Sequence, residues 1–162
     1  MFVIMMGVSG SGKTLIGKTI ANRLGCPFYE GDDYHPKANL EKMANGIPLN
    51  DKDRVGWLTM LADIIQTGLI NGQSGVITCS ALKAKYRQVL RVDSEKVKFV
   101  YLKGSYMLIL TRMKNRKGHY MKPGMLQSQF DILEEPTNAL IVDISQTPEK
   151  IAELVMTYLI KY

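Results

Sequence analysis

Five short apolar runs punctuate this chain: "FVIMM" at 2–6, "PFYE" at 27–30, "GVITC" at 75–79, "VKFVYL" at 97–102 and "ALIVD" at 139–143. They are rich in Val, Ile, Phe and Tyr, and several lack the polar alternation of a half-solvated strand. Such runs read as strands of a parallel sheet covered on both faces. The second is the weakest, being short and carrying Pro27. Between the runs, helical patterns lie over 13–24, 52–70, 82–91, 105–116, 122–133 and 148–161. Thr147 and Pro148 suit an N-cap and a first helical position. Strands alternating with helices predict an α/β fold with right-handed crossovers. There is no internal repeat, low-complexity stretch or linker, and 162 residues suit one domain over 1–162.

Composition narrows the class. Hydrophobic residues at 46% and charged residues at 22% are ordinary globular values. No apolar run approaches the roughly 20 residues that span a bilayer, so no membrane role is expected. The leading "MFVIMM" lacks a basic segment and runs directly into a glycine loop, which is not how a signal peptide reads. Cys26 and Cys79 show no CxxC spacing and read as reduced thiols of a cytoplasmic protein. The formal charge of +6 and pI of about 9.3 suit either nucleic acid or an anionic small molecule. Lys83, Arg87 and Arg91 fall on one face of a predicted helix, and Arg112, Lys114, Arg116, Lys117, His119 and Lys122 crowd around Gly118. With no RGG run, no basic tail and 8% aromatics, a local anion site is favoured over a nucleic-acid track.

"GVSGSGKT" at 7–14 matches GxxxxGK[ST], set between a predicted strand and a predicted helix. That context makes it a phosphate cradle, with the loop N–H groups and the helix N-terminus turned toward a nucleotide. The expected cradle is Gly7, Val8, Ser9, Gly10, Ser11, Gly12, Lys13 and Thr14. In it Lys13 reaches the β- and γ-phosphates and the Thr14 hydroxyl coordinates Mg²⁺. No NKxD segment reads guanine. "GVITC" runs into Ser80 rather than an acidic residue, and only Asp143 closes a late apolar strand. A short chain with these absences points to a small-molecule kinase with its acceptor site in the same domain. Asp32 follows the second predicted strand, where α/β proteins bind ligands. It is placed to accept or orient an acceptor hydroxyl, and Glu30 or Asp33 could hold a metal-bound water.

The stretch after that strand resembles the gluconate kinase family. The matching residues are Gly31-Asp32, His35-Pro36, Asn39, Lys42-Met43, Gly46, Pro48-Leu49, Asp51, Asp53-Arg54 and Trp57-Leu58. The likeness continues through "CSALKAKYRQVLR" at 79–91, "FVYLKG" at 99–104, "RMKNRKGHYM" at 112–121 and "LQSQFDILEEP" at 126–136. The resemblance implies phosphorylation of D-gluconate at its 6-hydroxyl by ATP with Mg²⁺. It also implies a nucleoside-monophosphate-kinase fold, a five-stranded parallel sheet flanked by helices, with a mobile lid over about 112–124. Family members often form homodimers.

A polyhydroxy carboxylate calls for cationic forks and hydrogen-bonding partners. Arg54 and Arg87 suit as forks, with His35 and Lys83 as partners. Arg112 and Arg116, four residues apart, are expected on one helical face, able to reach the phosphates as the lid closes, with Gly118 helping it bend. Gln129 could return a hydrogen bond to substrate, and "SQTPEKIAELV" at 145–155 is expected near the adenine. Glu30 stands where the family usually has Asp, which keeps the charge and lengthens the reach to a metal-bound water. Tyr120 stands for a usual Phe and adds only a hydroxyl. A kinase for another hydroxy acid such as shikimate, and a non-catalytic nucleotide- or nucleic-acid-binding protein, are the alternatives.

Overall fold

The computed structural model describes residues 1–116 and 123–161. Five parallel strands form one sheet: β1 (Phe2–Met6), β2 (Phe28–Tyr29), β3 (Gly75–Thr78), β4 (Val97–Lys103) and β5 (Leu140–Asp143), in the order β2-β3-β1-β4-β5. The helices are α1 (Lys13–Leu24), α2 (Lys37–Ala44), α3 (Asp51–Ile70), α4 (Ala84–Leu90), α5 (Tyr106–Asn115), α6 (Pro123–Ile132) and α7 (Pro148–Ile160). All five predicted strands form, and Thr147 caps α7 by accepting from the Lys150 N–H.

The central strand shows why its sequence is apolar throughout. Val3 and Met5 join a core with Ile16 and Ile20 of α1 and Val155 of α7. Phe2, Ile4 and Met6 join a second core with Trp57, Leu61 and Ile65 of α3 and Leu90 of α4. Both faces of β1 are therefore covered, and alternation has no place in it. β5 departs from this pattern: it is an edge strand with only Val142 fully buried.

The helix α2 was not anticipated. Asn39 is its only buried residue, so no apolar stripe announces it. Its composition of Lys, Ala, Leu, Glu and Met is favourable for helix, and Pro36 precedes it. The α3 helix starts at Asp51, one residue earlier than expected. Asn50 accepts from the Asp53 N–H and Asp53 accepts from the Asn50 N–H, a reciprocal capping box.

Candidate active site

The sheet order reverses direction on either side of β1, so the crevice opens at its C-terminal end. Residues 7–12 leave that end and turn into α1. Gly12 stands at the α1 N-cap with φ 95°, a backbone that costs a side chain energy, and among the described residues no side chain caps the helix. The first-turn N–H groups are thereby left for an outside acceptor. Ser11 is 2% exposed, and its Oγ has no hydrogen-bond partner among the described residues. A buried hydroxyl without a partner inside a loop of N–H donors fits a phosphate-bearing ligand. Lys13 Nζ donates to the Gly7 and Val8 carbonyls at 3.1 and 3.0 Å. Burial holds its amine below the ordinary lysine range, opposed by the charge of Asp32 and Glu30.

The opposite wall follows β2. Glu30 accepts from Thr14 Oγ1 at 2.6 Å and from Thr78 Oγ1. This joins the start of α1 to the ends of β2 and β3. Gly31 is pinned on both sides of its peptide: its N–H donates to Thr78 Oγ1 at 2.9 Å, and its carbonyl accepts from Trp57 Nε1 at 2.7 Å. A Cβ there would sit 1.8 Å from the Thr78 carbonyl oxygen, so only glycine permits this approach. The next residue, Asp32, projects an exposed carboxylate into the cleft. His35 Nε2 lies 3.7 Å from it, and the His35 ring stacks on Trp57 with centroids 4.0 Å apart. Burial holds His35 below the ordinary histidine range; Asp32 opposes the shift and Arg54 adds to it. Arg54 is itself buried, donating to the Leu49 carbonyl and, at 3.3 Å, to the Tyr86 hydroxyl. Lys13, Asp32, His35, Arg54 and Gln129 all line one cleft of about 300 Å³. It sets a phosphate loop against a free carboxylate, with a buried guanidinium beyond, which is a layout for moving a phosphoryl group onto a polar acceptor.

The shikimate kinase family profile matches residues 9–159. The thermosensitive gluconokinase of Escherichia coli (strain K12) is 50% identical over 133 residues, covering 82% of this chain and 71% of that protein. The chain belongs to the gluconokinase family. A gluconokinase crystal structure from Sinorhizobium meliloti 1021 superimposes with a TM-score of 0.89 at 39% identity, covering 98% of this chain and 91% of that one. Shikimate kinase from Aquifex aeolicus vf5 shares the fold, with a TM-score of 0.62 at 17% identity over 98% of this chain and 96% of that one. Among the described residues no helix is long and apolar enough to cross a membrane.

Several expected positions fall elsewhere. Arg87 turns away from the cleft, and its Nη1 donates to the Ala81 and Leu82 carbonyls at 2.8 and 3.2 Å. It lines a separate recess with Arg91 and Asn138. The physical reason is local: the loop entering α4 leaves carbonyls that a buried guanidinium satisfies. Lys83 is likewise outside the cleft, paired with Asp51 at 3.0 Å. Asp51 also accepts from Lys85 and Tyr86, and those three donors hold its carboxyl well below the usual range.

Arg112 and Arg116 do not share a helical face. The α5 helix ends at Asn115, and Arg116 is extended at φ −82°, ψ 120°. Arg112 donates to the Ile144 carbonyl at 2.6 Å, whereas the charge of Arg116 acts on Lys13. Gln129 holds the phosphate loop: Oε1 accepts from the Ser9 N–H at 2.8 Å and Nε2 donates to Ser9 Oγ at 3.0 Å. Lys117, Gly118, His119, Tyr120 and Lys122, named above for the lid, lie outside the described residues. Thr78 and Trp57 had no expected role, although the lone tryptophan of the chain was a visible signal.

Proposed function

We propose that this protein transfers the γ-phosphoryl group of ATP to the 6-hydroxyl of D-gluconate, giving 6-phospho-D-gluconate and ADP. The observation that carries the reading is Asp32, anchored through Gly31 and facing Lys13 of the phosphate loop across one cleft. The family membership names the acceptor. The loop N–H groups and Lys13 hold the phosphates in line with the acceptor. Asp32 orients the 6-hydroxyl and takes its proton as the new P–O bond forms and the bond to the β-phosphate oxygen breaks. Arg54 is the fork for an acceptor oxygen or the carboxylate, and His35 a second hydrogen-bonding partner. Arg116 adds positive charge within electrostatic reach of Lys13, and Arg112 lies toward the 145–155 segment where the adenine is expected. Glu30 and Thr14, 2.6 Å apart, offer the hard oxygen donors that suit Mg²⁺, with Glu30 acting through a water. When bound, the metal neutralises charge on the phosphate oxygens.

A shikimate-directed reading has less support, because the likeness to shikimate kinase structures is one of fold, at 17% identity. The free thiols of Cys26 and Cys79 accord with a cytoplasmic setting. A homodimer is the expected assembly, which the mass in solution checks. The test of function is ADP release by the purified protein across D-gluconate, shikimate and other sugar acids. Gluconate-dependent turnover that is lost in Asp32→Asn supports the assignment. ADP release indifferent to gluconate overturns it.

A further inference from the structure

Asn39 takes no part in the mechanism above, yet it is 3% exposed and is the only residue of α2 that the fold buries. Its Nδ2 lies 2.7 Å from the Asp53 carbonyl oxygen and 3.3 Å from His35 Nδ1. The Asp53 carbonyl can only accept, so the amide nitrogen, not the amide oxygen, must face it. The same nitrogen has hydrogens and no lone pair to offer His35. Nδ1 is therefore the lone-pair nitrogen of the ring, and a neutral ring carries its hydrogen on Nε2.

The surroundings favour that neutral ring. Trp57 covers one face. Asp32 is the acidic group facing the ring, at 3.7 Å, and the cationic group is Arg54. The Asp53 carboxylate is engaged by Lys42 at 2.9 Å. Burial outweighs the pull of Asp32 and keeps the imidazole uncharged to lower pH than usual.

We infer that Asn39 is a positioning residue that locks His35 as the neutral Nε2–H tautomer, so that Asp32 and His35 offer one acceptor and one donor to a single substrate hydroxyl. This rests on the gluconate reading above. A hydroxyl oxygen about 2.8 Å from both atoms fits their 3.7 Å separation. Its O–H donates to Asp32, one lone pair accepts from Nε2–H, and the other is left for phosphorus. A charged ring would instead pair with Asp32 and occupy the oxygen that receives the proton. The opposite tautomer would set a nitrogen lone pair against the carboxylate. A carbonyl oxygen at the same place accepts from His35 but has nothing to donate to Asp32, so the pair selects for a hydroxyl.

The test uses the full-length ¹⁵N-labelled protein. It has two histidines, and His35→Gln assigns the signals. Long-range ¹H–¹⁵N spectra near neutral pH should show His35 protonated on Nε2 and bare on Nδ1. In Asn39→Asp the carboxylate should draw a proton onto Nδ1. The kcat/KM for gluconate should then fall roughly tenfold or more, with the KM for ATP within about twofold. A wild-type His35 that is charged or protonated on Nδ1 overturns the inference, and this needs no variant to fold. A folded Asn39→Asp protein with unchanged tautomer and unchanged kcat/KM overturns it too. Absence of gluconate-dependent turnover in the wild type would sink the gluconate reading alone, because the tautomer is read independently.

Discussion

Replacing Gly31 with alanine tests how strictly the 30–32 segment is placed. The new Cβ would lie 1.8 Å from the Thr78 carbonyl oxygen, where ordinary contact starts at 3.4 Å. Thr78 belongs to β3, held between β1 and β2, so the segment that moves is the one carrying Gly31. It must withdraw by about 1.5 Å, because a packed interior has no slack to absorb the clash. The withdrawal breaks the 2.9 Å bond to Thr78 and the 2.7 Å bond from Trp57. Each is worth about 1 kcal/mol net, and a buried indole N–H without an acceptor costs about 1–3 kcal/mol. A total near 3 kcal/mol lowers Tm by roughly 6–12 °C in a chain of this size. Asp32 moves with its neighbour, and a misplacement of about 1 Å can cost about 100-fold in rate. The expected result is a kcat with gluconate reduced about 100-fold and a KM for ATP changed by less than about threefold. Thermal unfolding and coupled ADP release measure both. A variant with unchanged Tm and a kcat within about twofold of wild type would refute the reasoning.

Three further outcomes are expected. Glu30→Gln keeps the shape and removes the charge, so the Mg²⁺ concentration for half-maximal rate should rise at least about tenfold while Glu30→Asp retains function; a flat Mg²⁺ titration across the three proteins would exclude Glu30 from the metal site. Arg54→Met should raise the KM for gluconate by about 10- to 100-fold, the worth of a charge-assisted bond, while Arg87→Met should lower Tm and leave that KM within about twofold; the reverse pattern would return Arg87 to the substrate. Because His35 is held below the ordinary pKa of 6.5, the unfolded chain takes up this proton first as pH falls. The stability from a neutral His35 is therefore full above about pH 6.5 and is lost as pH drops below it. Tm in the wild type should decline there, and His35→Gln should flatten that decline.

Much of this arrangement was legible before any coordinates. The apolar runs of β1, β3 and β4 reported strands covered twice, though those of β2 and β5 proved to be partly open edges, and the glycine loop between strand and helix marked the phosphate end. Asp32, His35 and Arg54 do reach one cleft. What failed was direction. Residues 83, 87 and 91 share a helical period, but α4 spans only Ala84–Leu90, and the carbonyls at its entrance claim Arg87. Spacing reports which side chains share a face, not which face is turned to the substrate. The Arg112–Arg116 pair failed for a related reason, since the helix ends between them. Thr78 had no signal, and Asn39 stood in the family pattern without a role, because each acts on another side chain rather than on a ligand, and a hydroxyl ending a strand or an amide on a polar helix has no periodicity of its own.

Trp57 has a practical consequence. It is the single tryptophan of the chain, 2% exposed, with His35 stacked on its ring. The protein thus carries one tryptophan fluorophore, excitable apart from its eight tyrosines, and it lies beneath the acceptor half of the cleft. Its emission should follow gluconate binding and the charge of His35 without any label. Nucleotide arriving at the far wall should leave it almost unchanged, so the two halves of the site can be titrated separately in one cuvette.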